Sequence, residues 1–192
     1  RKIFLSRARL KSFVKYLGII MSISRIGIIG AGQMGTGIAH VMALANYDVI
    51  LNDVLPEHLI SAKTTISQNL DRQISANKIS VDEASKAMSL VKTSVDLEAV
   101  AKTDLIIEAV NEEEELKRKV FLSIMPYLGE HTVLASNTSS ISITRLASST
   151  DRPEKFLGFH FMNPVPIMQL VELIPGIATT QDTFEKCAAV VD

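Results

Sequence analysis

Short apolar runs alternate with amphipathic segments along most of this chain. Ile26, Ile28 and Ile29 form the first run, which stops at Gly30. Ile38, Val41, Met42 and Ala45 then recur at helical spacing. A second run over 49–51 ends at Asn52-Asp53, and Pro56-Glu57 opens a long helical stretch. Leu59, Ile66, Leu70 and Ile74 keep one face of that stretch apolar, Lys63, Asp71 and Arg72 are charged, and the segment runs on through Lys78 and Ser80. Ser80 suits the N-cap of a short helix over 81–89. Residues 90–93 read as a short strand and 104–110 as a buried parallel strand. Glu112, Glu113, Glu114 and Glu115 precede Lys117, Arg118 and Lys119, an order that suits the dipole of a helix beginning near 112. Leu116, Val120, Ile124 and Leu128 form its apolar stripe, and Gly129 is placed to end it. Residues 132–135 predict a strand that runs into Ser136-Asn137-Thr138-Ser139-Ser140. A further strand over 156–161 leads into the rigid turn Met162-Asn163-Pro164-Val165-Pro166. Residues 167–174 alternate as an edge or antiparallel strand, and Asp182 is read as the cap of a last helix still running at Asp192.

One stretch carries specific chemistry. Gly30-Ala31-Gly32-Gln33-Met34-Gly35 sits between the first strand and the first helix, and Asp53 closes the second strand 23 positions after Gly30. Strand, glycine-rich turn, helix, strand and acid make up the dinucleotide-binding arrangement. The first glycine permits the tight turn, the second lets backbone approach a pyrophosphate, and the third lets helix and strand pack closely. The helix N-terminus offers amide N–H groups to the phosphates. A carboxylate at Asp53 accepts hydrogen bonds from a ribose 2′-hydroxyl and repels a 2′-phosphate, and neither Asn52 nor Val54 offers a cation. The expected cofactor is therefore NAD rather than NADP, bound by Gly30, Gly32, Gln33, Met34, Gly35 and Asp53. The fold expected is α/β: a Rossmann-type, doubly wound, mostly parallel sheet with a long helical excursion after the second strand.

Bulk properties narrow the classes further. The chain has 192 residues, 47% hydrophobic and 21% charged, with a net charge of −1, which gives no argument for nucleic-acid or membrane partners. No apolar run approaches the roughly 20 residues needed to span a bilayer, and no His/Cys cluster has metal-ligand spacing. The single cysteine, Cys187, reads as a small buried apolar residue. Residues 1–20 carry six cations and no acid, which leaves −7 for the remainder. Three readings compete for them: a mitochondrial transit segment, an extension upstream of a start at Met21, or a membrane-surface helix. They are set apart from a domain over 21–192. The expected location is the cytoplasm, or the mitochondrial matrix if the leader is a transit segment.

The candidate catalytic pair is His160 with Glu172. His160 ends an apolar strand before an Asn-Pro turn. Glu172 is the one acid between Glu154 and Asp182 and sits among Leu170, Val171 and Leu173, where a carboxylate is costly unless paired. A carboxylate that orients an imidazole and stabilises its protonated form suits a general base near neutral pH. By pattern alone, a core histidine and an outward-facing strand glutamate are the favoured reading. Residues 136–140 place hydroxyls and an amide at a strand exit, where open α/β sheets bind ligands; a turn capping the next helix is the competing reading.

Together these segments resemble the N-terminal domain of the 3-hydroxyacyl-CoA dehydrogenase family. The matching residues are 30–39, Asp53, Glu108-Ala109-Val110-Asn111-Glu112, Ser136-Asn137-Thr138-Ser139-Ser140, His160-Phe161-Met162-Asn163-Pro164-Val165-Pro166 and Gln169-Leu170-Val171-Glu172. The resemblance covers about 23–192. It implies NAD-dependent, reversible oxidation of an (S)-3-hydroxyacyl-CoA, short-chain in flavour, to the 3-ketoacyl-CoA. It makes His160 the group that takes the 3-hydroxyl proton, with Glu172 orienting it. It places Ser139 on the substrate oxygen near the nicotinamide and Asn163 in the same site. It gives Glu112 and Lys117 cofactor contacts, and makes Arg72 and Lys78 candidates for the phosphates of an acyl-CoA. The family continues into a helical C-terminal domain, absent from this sequence, through which a homodimer is expected. Two alternatives stay open: a dehydrogenase of a non-CoA 3-hydroxy acid of the L-gulonate or carnitine type, and a non-catalytic dinucleotide-binding module.

Overall fold

The computed structural model describes residues 23–191. The basic leader expected over 1–20 and the start suggested at Met21 lie outside them. Seven strands form one sheet: β1 (Arg25–Ile29), β2 (Asp48–Asn52), β3 (Val91–Ser94), β4 (Leu105–Glu108), β5 (Val133–Ser136), β6 (Phe156–Phe161) and β7 (Val171–Pro175). Their order is β3-β2-β1-β4-β5-β6-β7, all parallel except β7, which runs antiparallel to β6 at the edge. This is the Rossmann-type order expected from the sequence, with the sense of travel reversing between β1 and β4.

The central strands are apolar on both faces because helices cover both. On one face Ile26, Ile28, Leu105, Ile107, Leu157 and Phe159 pack with Ile38 and Met42 of α1 (Gln33–Leu44) and with Leu59 and Ile66 of α2 (Pro56–Ser75). Helix α3 (Val81–Leu90) adds Ala84 and Ala87. On the other face Ile106, Leu134 and Phe156 meet Val100 of α4 (Leu97–Ala101), Phe121 and Ile124 of α5 (Glu114–Ile124), and Ile143 and Leu146 of α6 (Ile143–Ala147). The rings of Phe121 and Phe156 stand edge to face with centroids 4.9 Å apart. Helix α7 (Gln181–Val191) closes the described chain and buries Cys187, whose thiol burial pushes up to about 12.

Strand alternation decides which side chains leave the sheet together. Glu108 and Ser136 are register partners and face the same way as Ile106 and Leu134. His160 and Glu172 are also register partners, across β6 and β7. Both pairs sit where the parallel strands end.

Several local expectations shift. The buried face of α5 runs through Lys117, Phe121 and Ile124, whereas Leu116, Val120 and Leu128 are only partly covered. A reading of apolar letters cannot find a face whose first member is a paired cation. The helix starts at Glu114 because Glu112 is turned toward the segment after β5, and it ends at Ile124 because Pro126 forces a tighter turn over Met125–Tyr127. Asp182 does not cap α7. Thr180 Oγ1 accepts from the amide of Thr183, while Asp182 pairs with Lys186 one turn on at 2.8 Å. Helix α4, capped by Asp96, went unanticipated because only five residues carry it. Of the alternating run 167–174, only Val171 onward pairs as strand; Ile167 and Met168 both donate to the Pro164 carbonyl and turn instead. Among the described residues no helix is long and apolar enough to cross a membrane.

The first turn of α1 is fitted to β1 by Gly35. A Cβ there would stand 1.8 Å from the Gly30 carbonyl oxygen, and Gly30 itself holds φ +104. Gly35→Ala must push the helix off the strand and is expected to cost at least about 2 kcal/mol. Urea unfolding measures it; a loss below about 0.5 kcal/mol would show that the turn yields instead of resisting.

Candidate active site

The turn after β1 is knitted to its neighbours by backbone. Gly30 N–H donates to Asn52 O at 2.8 Å, and Ala109 N–H donates to Ile29 O at 2.8 Å. Gly32 is the N-cap of helix α1, and no side chain caps the helix. A Cβ on Gly32 would meet nothing within 4 Å, and its φ is −71. Neither packing nor backbone conformation of this chain requires glycine there, so the open space in front of it fits the close approach of a pyrophosphate. Asp53 stands beside it. Its Oδ2 accepts from Ala31 N–H at 2.8 Å, and its Oδ1 from Leu55 N–H at 3.0 Å and from the His58 ring at 3.2 Å. Partial burial works against its charge, but these donors prevail and hold the carboxyl below the usual range. His58, in the first turn of α2, reaches back to Asp53, a contact that no spacing motif in the sequence marks.

A cleft of about 320 Å³ opens at the strand ends, lined by Met34, Glu112, Asn137, Ser139, His160 and Asn163, with Ala109, Val110, Phe161 and Met162 completing its wall. The sequence candidates from four separate segments thus meet in one place. Arg72 and Lys78 do not join them. Both are exposed at the far end of the α2 excursion, and Arg72 donates to Asn69 of its own helix at 3.0 Å. A second cleft, of about 330 Å³, lies at the opposite strand ends among residues 101–104 and 127–133 and contains none of the candidate residues.

Behind the cleft wall, His160 Nδ1 lies 3.1 Å from Glu172 Oε2. The histidine side chain is 18% exposed and the glutamate 37%. Their pairing follows from the antiparallel register, which sets them directly across from each other. Asn137 braces the same strand end: its Oδ1 accepts from Phe161 N–H at 2.8 Å, and its own N–H donates to Glu108 O at 2.8 Å.

Glu112 organises the segment that carries Ser139. Its Oε1 accepts from Thr138 Oγ1 at 2.5 Å and from the amides of Ser139 and Ser140 at 3.0 and 3.2 Å, with both serine hydroxyls within 3.3 Å. Its Oε2 lies 3.3 Å from Lys117 Nζ. The Lys117 side chain is only 1% exposed, so in this structure it supports the wall of the cleft from beneath. Its ammonium also donates to Glu108 Oε1 at 2.8 Å and to Val110 O at 3.2 Å. Glu108, fully buried, accepts in addition from Val110 N–H at 2.7 Å and Ser136 Oγ at 2.6 Å. Burial pushes the Glu108 carboxyl up, with the Lys117 charge as the main force opposing it. In the sequence Glu108 stands out only as part of the 108–112 motif. The available signal was a lone acid ending a strand otherwise made of Leu105, Ile106 and Ile107.

Partial burial alone would raise the Glu112 carboxyl, but Thr138, Lys117 and the serine donors bring it down to about 2 from an ordinary 4.5. A depressed folded-state pKa gives stability that is complete above 4.5 and is lost as the pH falls through about 2. Across that window the urea midpoint of the native protein should therefore drop more steeply than that of Glu112→Gln. Parallel acid limbs would show that the charge on Glu112 contributes nothing to folding.

With this geometry in place, comparison with known proteins gives a consistent answer. The family profile described as 3-hydroxyacyl-CoA dehydrogenase, NAD binding domain, matches residues 25–192. The 3-hydroxybutyryl-CoA dehydrogenase of Bradyrhizobium diazoefficiens is 54% identical over 163 residues, 85% of this chain and 56% of that protein. The human mitochondrial hydroxyacyl-coenzyme A dehydrogenase is 39% identical over 85% of this chain and 54% of its own length. The crystal structure of (S)-3-hydroxybutyryl-CoA dehydrogenase from Ralstonia eutropha superposes with a TM-score of 0.86 at 40% identity, covering 88% of this chain and 60% of that one. The chain spans just over half the length of these curated relatives. By sequence and by fold, it belongs to the NAD-binding-domain family of the 3-hydroxyacyl-CoA dehydrogenases.

Proposed function

We propose that this chain is the cofactor-binding and proton-transferring part of an NAD-dependent dehydrogenase that interconverts (S)-3-hydroxyacyl-CoA and 3-ketoacyl-CoA, with a short acyl chain such as 3-hydroxybutyryl. The observation that carries the reading is His160, which lines the cleft with Ser139 and Asn163 and is backed by Glu172 at 3.1 Å. Binding a dinucleotide requires neither His160 nor Glu172, so their presence favours an enzyme over a passive binding module. Relatives named for hydroxybutyryl-CoA and hydroxyacyl-CoA support a thioester substrate over a free 3-hydroxy acid.

The geometry suits the proton's path. A carboxylate only accepts hydrogen bonds, so Glu172 fixes the Nδ1–H tautomer of His160 and leaves the lone pair on Nε2. Nε2 takes the proton of the 3-hydroxyl, and the imidazolium so formed is stabilised by Glu172. In the reverse direction the same nitrogen returns the proton to the carbonyl oxygen. Ser139 Oγ and Asn163 hold the substrate oxygen in the plane of attack. Asp53 reads the ribose, and the uncapped first turn of α1 receives the pyrophosphate. Bound NAD supplies the hydride acceptor, and its reduced form the donor. A homodimer and a place in fatty-acid or butyrate metabolism extend the same reading to the full-length protein.

Two substitutions separate the roles. In the full-length protein His160→Gln should lower the rate of NADH oxidation with acetoacetyl-CoA about 1,000-fold, the scale of a lost general acid–base group. Its NADH affinity should stay within about threefold; a collapse of binding would make His160 structural. Gly32→Ala should do the reverse. The melting temperature stays within about 2 °C, because the new methyl meets no atom. NADH affinity falls at least about tenfold, because the methyl fills the space left for the pyrophosphate. Unchanged affinity in Gly32→Ala would remove the cofactor from that turn.

A further inference from the structure

The buried Glu108–Lys117 pair lies outside the chemistry described above, yet it is linked to the Ser139 segment through Ser136 and through Glu112. We propose that Glu108 is a positioning residue: it anchors the Lys117 ammonium so that Lys117 fixes Glu112, and Glu112 in turn holds Ser139 and Ser140 at the mouth of the cleft. The inference rests on the dehydrogenase reading for the meaning of Ser139, but its geometry does not.

Glu108 is fully buried and does not line the cleft, so it acts through other groups. Two of its partners can only donate: the Val110 amide and the Lys117 ammonium, both on Oε1. That pattern requires an acceptor there, and Ser136 Oγ at 2.6 Å supplies a donor to Oε2. Lys117 is matched in turn, its three acceptors being Glu108, Val110 O and Glu112. The contact with Glu108 is the shortest of them and the most deeply buried, at 2.8 Å with side-chain exposures of 1% and 0%. Glu112 is 38% exposed and sits 3.3 Å away. A buried ammonium stays in place when a buried carboxylate balances it; with only the half-solvated Glu112 left, it is an undercompensated charge. Glu112 then loses its fixed cation, and the two serine amides lose the oxygen on which they converge.

The test uses the full-length protein labelled with 15N-serine. Glu108→Gln keeps the shape, because the amide oxygen accepts from Val110 and Lys117 while the amide nitrogen donates to Ser136 Oγ. The Ser139 and Ser140 amide resonances should move toward the positions they take in Glu112→Gln, while the Ser94 resonance stays put. NADH binding, followed by its fluorescence, should weaken about tenfold, the worth of one charge-assisted hydrogen bond. The double variant Glu108→Gln/Lys117→Met removes both buried charges, which a fold tolerates better than one. It should show the same serine shifts even if the single variant fails to fold. Serine resonances that stay at native positions in a folded variant overturn the proposal. Absence of NADH binding in the unsubstituted protein would instead count against the dehydrogenase reading, and the serine shifts would still decide the role of Glu108.

Discussion

The right-handed turn of every parallel crossover is the constraint on which the rest of this structure depends. A helix joining two parallel strands packs back on the sheet only one way. The chain runs outward from β1 to β3, then returns to place β4 against the other side of β1. The connections after β1 and β4 therefore leave toward opposite faces, and a crevice opens between their ends. The glycine turn follows β1 and the Glu108–Glu112 segment follows β4. The Ser136–Ser140 segment and His160 lie at the ends of β5 and β6, in the same direction. Candidate residues from four places in the sequence share one cleft because the topology gives all four strands the same terminus.

Charge beneath that crevice is arranged in depth. Glu108 lies at the bottom, Lys117 above it, and Glu112 at the surface. Each layer balances the one below. A carboxylate at the end of an apolar strand would be destabilising alone, and a lysine on the inner face of α5 likewise. Together, with Ser136 and Val110 filling the remaining hydrogen bonds of Glu108, they become a rigid bracket between β4, β5 and α5.

What could be read from the sequence follows the same division between local and tertiary causes. The strands and the main helices were legible because apolar periodicity and cap residues act over a few positions, as Ser80 and Glu83 do in closing α3 with a reciprocal cap. The glycine turn and Asp53 were legible because their spacing is itself the constraint. Lys117 was legible as a residue of interest but not as a buried one, since only the distant Glu108 makes its burial tolerable. Thr180 rather than Asp182 caps α7 because Thr180 is also tied to the Glu154 carbonyl, a contact 26 positions away. The start of α5 depends on Glu112 being drawn to Thr138, again across 26 positions. Where a residue's environment is assembled from remote segments, its own letter carries little of the answer.

The edge position of β7 explains why the His160–Glu172 pair is built as it is. A central strand would have buried both groups and made the imidazolium costly to form. Beyond β7 no further strand of the described sheet follows, so Glu172 keeps 37% of its side chain in contact with solvent while His160 keeps 18%. The antiparallel register, not a flexible loop, fixes their separation, because residues directly opposite on neighbouring strands stand close regardless of side-chain motion. A pair that must gain and lose a proton repeatedly needs that combination. It has to be rigid enough that Nδ1 stays on Glu172, and open enough that the charged state of the ring is hydrated in part. On the proposed reading, the antiparallel strand added to an otherwise parallel sheet is what lets this fold do proton transfer as well as bind a dinucleotide.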